Sequence, residues 1–164
     1  NYLEALEATL VAHVCRPFTG HRPTEIVSAP KVYGFDTGFI CHYRGWRELR
    51  REDLGLLWEH FVLNEIHANL QRRNVHYWRD KRGHEVDFIM VDPGKPPAAV
   101  ECKWSANDFD AANIRAFRTQ HPEGDNFVVA QNMKRPYKKR HGDLVVRYVG
   151  LADLLKDLLS RSSA

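Results

Sequence analysis

Between Val75 and Trp104 three short runs rich in β-branched and aromatic residues follow one another with only turn-forming residues between them. The runs are Val75-His76-Tyr77-Trp78-Arg79, Glu85-Val86-Asp87-Phe88-Ile89-Met90-Val91 and Ala98-Ala99-Val100-Glu101-Cys102-Lys103-Trp104. Asp80 to His84 and Asp92-Pro93-Gly94-Lys95-Pro96-Pro97 supply the Gly, Pro and Asp that tight connections need. A three-stranded meander is the expected outcome. Just ahead of it, the segment from Glu52 to Arg73 places Leu54, Leu57, Trp58, Phe61, Val62, Ile66 and Leu70 at helical spacing, which predicts a helix packed on one face. Behind it, Asn107 or Asp108 can cap a helix running to about His121, Phe127 to Ala130 reads as a buried strand, Leu144 to Val149 as another, and Leu151 to Leu159 as a closing helix.

The opening run Tyr2 to Val11 reads as a helix with no capping residue ahead of it, and the chain starts at Asn1, so a fragment of a longer protein is expected. A polar, Pro-containing connection, Arg16 to Pro30, leads to Lys31-Val32-Tyr33-Gly34-Phe35, which alternates like a strand, and Asp36-Thr37-Gly38 fits a turn. The whole is an α/β domain with a mixed central sheet flanked by helices. Its 164 residues and 43% hydrophobic content suit a single core.

Side chains alternate along a strand, so Glu101 and Lys103 share one face and Cys102 takes the other, apolar one. Two charges on a strand flanked by Ala98, Ala99 and Val100 need either each other or a ligand. Asp87, on the preceding strand, joins them only if it stands opposite Glu101 or Lys103. An ungapped count through the six-residue connection gives the wrong pairing, which predicts an offset turn or a bulge. Converging carboxylates would suit Mg²⁺ or Mn²⁺, with Lys103 beside the ion and Glu59, on the preceding helix, completing the set or holding a metal-bound water. The alternative is a structural ion-pair network lining a cleft. Glu85 is open to two roles, a further ligand or a salt bridge to Arg79 or Arg82. His84-Glu85 does not open a zinc-protease HExxH motif, because Phe88 stands where the second histidine belongs.

The net charge is only +3, but its cations cluster. Lys134-Arg135-Pro136-Tyr137-Lys138-Lys139-Arg140 is the densest run, Lys81 and Arg82 lie in the first meander turn with Arg79 just before it, and others occur at Arg47, Arg50, Arg51, Arg72 and Arg73. Such clusters neutralise phosphates and point to nucleic acid, although each alone also fits a solvated loop. Cys15, Cys41 and Cys102 form no CxxC pair and are odd in number, so neither a disulfide framework nor a cysteine zinc site is expected. No run approaches the roughly 20 apolar residues of a membrane span, and a soluble, cytoplasmic protein is expected.

The order helix-Glu59, strand-Asp87, strand-Glu101-x-Lys103 resembles the PD-(D/E)XK nuclease superfamily, whose restriction-endonuclease-like core runs helix, three strands, helix, strand. More closely, Gly55 to Ile66, Tyr77-Trp78-Arg79, Glu85-Val86-Asp87-Phe88, Val100-Glu101-Cys102-Lys103 and the approach Lys31 to Gly38 look like the domain of unknown function that follows the ATPase and winged-helix domains in many bacterial and archaeal AAA+ proteins. That resemblance implies that Asp87 and Glu101 are metal carboxylates, Lys103 the motif lysine and Glu59 the helical acid. It further implies a Mg-dependent nuclease acting on nucleic acid, DNA ahead of RNA, in residues 31–164, with residues 1–30 ending a missing ATPase-bearing region. Val86 replaces the superfamily's usual Pro before the Asp, and no GxxxxGK[ST] run is present. A catalytically inactive module that binds nucleic acid or a partner is the competing expectation, and a homodimer is left open.

Overall fold

The structure, a computed structural model, describes residues 2–19, 29–71 and 74–162. Its elements run α1 (Tyr2–Ala8), β1 (Ala12–Pro17), β2 (Lys31–Gly34), α2 (Thr37–Tyr43), α3 (Arg51–Leu70), β3 (Val75–Arg79), β4 (Glu85–Met90), β5 (Ala98–Lys103), a 3₁₀ turn at Ala106–Asp108, α4 (Ala112–Gln120), β6 (Asn126–Ala130), β7 (Tyr137–His141), β8 (Leu144–Val149) and α5 (Leu151–Ser162). The strands form one mixed sheet in the order β2-β1-β3-β4-β5-β6-β8-β7. The meander β3-β4-β5 is antiparallel, while β5, β6 and β8 run parallel to one another.

Both faces of the sheet are covered, and each has its own apolar cluster. On one side α3 and α5 place Trp58, Val62, Leu63, Ile66, Leu154 and Leu158 against Tyr77, Phe88, Met90, Val100, Cys102 and Val129. On the other, α4 sets Ile114 and Phe117 against Trp78, Ile89, Ala99, Val128 and Val146. The helix ends follow local chemistry. The Arg50 backbone N–H donates to Asp53 Oδ2 at 2.9 Å and so fixes the start of α3. Gln71 closes the helix in the left-handed region at φ 48°.

Several elements differ from the sequence expectation. The opening helix ends at Ala8 and not at Val11, and after a turn the chain forms β1, a strand that the sequence reading did not assign and that runs into the start of the expected connection. Asp36 is the N-cap of α2 rather than a turn residue, its Oδ1 accepting from the Phe39 N–H at 2.8 Å. The expected single helix from Asn107 is split by the 3₁₀ turn, and α4 begins only at Ala112. Tyr137–His141, read as a basic run, is an edge strand. Phe61, assigned to the core, is 42% exposed. Arg72, Arg73 and most of the connection before Lys31 lie outside the described residues. Among the described residues no helix is long and apolar enough to cross a membrane.

Candidate active site

The register of the meander sets the site. β4 and β5 pair Met90 with Ala98, Ile89 with Ala99 and Phe88 with Val100, so Val91 joins the loop and the connection is offset by one residue, as the faces of Asp87 and Glu101 required. Asp87 and Glu101 are the next residues beyond the last paired positions, and their carboxyls lie close enough to interact. The bulge falls on the other side of β4, where His76 and Trp78 of β3 face Ile89 and Val86, three steps of β4 against two of β3. This irregularity flanks Asp87 and aims it at a cleft beside α3. The cleft, about 290 Å³, is lined by Asp87, Lys103 and Glu59, with Arg51 and Glu52 of α3 among the remaining groups.

Asp87, Glu101 and Lys103 are in direct contact, and Glu59 shares the cleft with Asp87 and Lys103. The Cys102 N–H donates to Asp87 Oδ2 at 2.8 Å, and Lys103 Nζ donates to Glu101 Oε2 at 3.0 Å. Glu101 is only 1% exposed, and its Oε1 is buried with no hydrogen-bond partner of proper geometry among the described residues. Burial, the neighbouring Glu101 charge and the more distant Glu59 push the Asp87 carboxyl well above the usual carboxylate range, with Lys103 and the Cys102 N–H opposing. Burial raises Glu101 as well, against the lowering effect of Lys103, Asn113 and Asp87. Burial acts to lower Lys103, but the Glu101 and Asp87 charges outweigh it and the net shift is upward.

Glu59 is differently engaged. Its Oε1 accepts from the Tyr33 hydroxyl at 2.5 Å and lies 3.4 Å from Lys31 Nζ, both carried by β2. Lys31 also pairs with Glu85, which Arg79 holds from the other side, so the salt-bridge role of Glu85 is realised. Among the described residues no three His, Cys, Asp or Glu side chains form a group arranged to hold a metal ion. The residues that could hold a divalent cation are Asp87 and Glu101, two crowded hard oxygen donors, with Glu101 Oε1 lacking a hydrogen bond of proper geometry among the described residues. Lys31, Tyr33 and Asn113 escaped the sequence reading. The only available signal was that Lys31 and Tyr33 share a face of β2 by alternation.

Removing the Tyr33 hydroxyl tests this arrangement. Tyr33 is 3% exposed, and Tyr33→Phe leaves Glu59 with Lys31 alone, so a loss of about 1–2 kcal/mol is expected in urea unfolding.

The basic residues are distributed around the same end of the sheet. Arg79, Lys81 and Arg82 flank the β3–β4 turn, which the antiparallel register places at the end of β5 that carries Lys103. Lys103 pairs with Ala130 at the close of β6, and exposed Lys134 and Arg135 follow a few residues on. Lys138, Lys139 and Arg140 are exposed on β7, leading away from that end.

A family model described as "Domain of unknown function (DUF4143)" matches residues 54–151. Two curated proteins are each 31% identical over 100 residues: uncharacterized protein Mb2031c of Mycobacterium bovis and uncharacterized protein Rv2008c of Mycobacterium tuberculosis. The match covers 58% of this chain but only 23% of either relative, so the chain spans about a quarter of their length. No solved structure matches.

Proposed function

The chain belongs to the DUF4143 family, and from that premise we propose that it is a metal-dependent phosphodiester hydrolase acting on DNA, with a restriction-endonuclease-like core of the PD-(D/E)XK type. The observation that carries this reading is the contact of buried Glu101 with Asp87, just beyond the last paired residues of β4 and β5, and with Lys103, whose Nζ donates to Glu101 Oε2. The order α3, β3, β4, β5, α4, β6 supports it, being the sequence of elements that the resemblance calls for. Mg²⁺ or Mn²⁺, when bound by Asp87 and Glu101, supplies polarisation of the phosphodiester and a more acidic water. Lys103 favours the ionised form of Glu101 against its burial and sets a cation on the cleft wall where charge builds on the phosphorus oxygens. Arg79, Lys81, Arg82, Lys134 and Arg135 ring that end of the sheet and hold the nucleic-acid backbone, with Lys138, Lys139 and Arg140 extending the track. In the longer relatives the remaining three quarters of the chain leaves room for an upstream ATPase, which we include in the proposal as the partner of this domain.

The test uses labelled single-stranded, duplex and branched DNA, and a matching RNA, with Mg²⁺ or Mn²⁺. The parent is expected to cleave DNA, and Lys103→Ala to lose at least about a hundredfold in rate while still binding it. Absence of cleavage on every substrate, together with absence of Mn²⁺ binding in titration, would overturn the reading.

One observation favours a second reading, a non-catalytic arm that binds nucleic acid or a partner: Glu59 is held by Tyr33 and Lys31 and does not complete a three-ligand group. Metal-independent DNA binding, equal in the parent and in Glu101→Gln, Lys103→Ala, without cleavage by either, is the outcome that selects it.

A further inference from the structure

At the other end of the sheet lies a larger cleft that the carboxylate site does not use. It is formed by the C-terminal half of α4, the first residues of β6 and β8, the middle of β7 and the last turns of α5, and it encloses about 640 Å³. That volume is in the range of small-molecule sites. Its lining carries five cationic side chains against three carboxylates, a surplus of two positive charges.

The pairing inside the cleft shows where that surplus resides. Arg147 is neutralised by Asp157 at 2.7 Å, and Arg161 pairs with Asp125 and, from outside the lining, with Asp92 at 3.3 Å. Arg115, Arg118 and Lys138 have no carboxylate at ion-pair distance among the described residues, and Asp143 is the one lining carboxylate left to offset them. Arg118 is buried, and its donors go to neutral oxygens: Asn126 Oδ1 at 2.6 Å and the carbonyls of Pro97, His121, Glu123 and Asp125. It therefore contributes a fixed charge to the cleft but no free donor. Arg115 spends one bond on the His141 carbonyl, at 3.2 Å, and Lys138 is exposed on β7, so these two have donors to offer. The sole aromatic lining residue, Phe127, is 4% exposed and gives a base nothing to stack on.

From this we propose that the cleft binds a phosphate-bearing anion, Arg115 and Lys138 contacting the phosphate oxygens and Arg118 supplying the positive field behind them. Recognition is of the phosphates and not of a base. The site is separate from the carboxylate pair and shares only Lys138 with the proposed nucleic-acid track, so its occupation by a phosphate does not depend on cleavage. A free polyphosphate or nucleotide and the 5′-phosphate end of a nucleic-acid strand present the same chemistry.

The experiment is calorimetric titration of the whole chain with inorganic tripolyphosphate at low ionic strength. Saturable binding is expected, weakened at least about tenfold in Arg115→Gln, Lys138→Gln and changed less than about twofold in Arg44→Gln, Arg47→Gln, two exposed cations that line neither cleft. Competition by a nucleoside triphosphate or by a 5′-phosphorylated oligonucleotide then identifies the source. No binding of tripolyphosphate, or binding that both double variants reduce equally, overturns the proposal. Arg118 is left intact in the test because its removal disturbs the fold.

Discussion

Arg118→Met is expected to destabilise the protein by about 3–5 kcal/mol in denaturant unfolding, among the largest effects of any single substitution. The side chain ties the end of α4 to Pro97, before β5, and to the 121–126 loop before β6. Without it, the buried Asn126 amide oxygen and four part-buried carbonyls lose a donor. Burial lowers the Arg118 pKa to about 10, with Asp125 opposing and Arg161 reinforcing, which still leaves the group charged at neutral pH. Gly124 belongs to the same assembly. It sits at φ +116°, and a Cβ there would stand 2.1 Å from the Pro97 carbonyl oxygen and 3.1 Å from Arg118 Nη1. Gly124→Ala is therefore expected to unfold the loop's packing as well, and a melting temperature falling in both variants, additive neither with the other, would show that they act as one unit.

Lys103→Met is the second large effect, with a diagnostic pH dependence. Removing the ammonium leaves Glu101 and Asp87 as a crowded carboxylate pair with no cation in contact, and a loss of about 3 kcal/mol is expected at pH 8, toward the low end because Lys103 is 27% exposed. Both carboxyls already have raised pKa values in the folded protein, and the substitution raises them further. A carboxyl whose folded pKa is raised binds more protons folded than unfolded between its unfolded and folded pKa values. Stability consequently rises as pH falls through that interval. The difference between variant and parent should shrink on acidification from pH 8 toward pH 5. A difference that stays constant, measured by urea unfolding across that range, would mean that Lys103 acts through packing and not through its charge.

The meander was legible because its strands alternate and its turns carry Pro, Gly and Asp, and because a charged E-x-K on an otherwise apolar strand has few explanations. The offset between β4 and β5 followed from geometry alone. β1 was not legible: Ala12–Pro17 has Pro at its end and Arg16 within it, and its place between β2 and β3 depends on partners about 20 and 60 residues away. The same limit hid the Glu59 environment, since Tyr33 and Lys31 come from β2, 26 and 28 residues upstream. The split at Ala106–Asp108 was hidden by Ser105, whose hydroxyl caps a 3₁₀ turn through the Asn107 N–H instead of letting a longer helix begin.

The position of β7 at the rim of the sheet has a colloidal consequence. An outermost strand exposes one row of backbone N–H and C=O groups, a template on which another chain can extend the sheet. Here three successive residues of that strand, Lys138, Lys139 and Arg140, are exposed cations, and two copies meeting edge to edge would oppose like charges at each step. That repulsion opposes growth of the sheet from copy to copy. If the proposed polyanion binding holds, a ligand lying on this edge screens those charges while it blocks the edge, so the stoichiometry of binding, and not its affinity alone, sets whether copies associate.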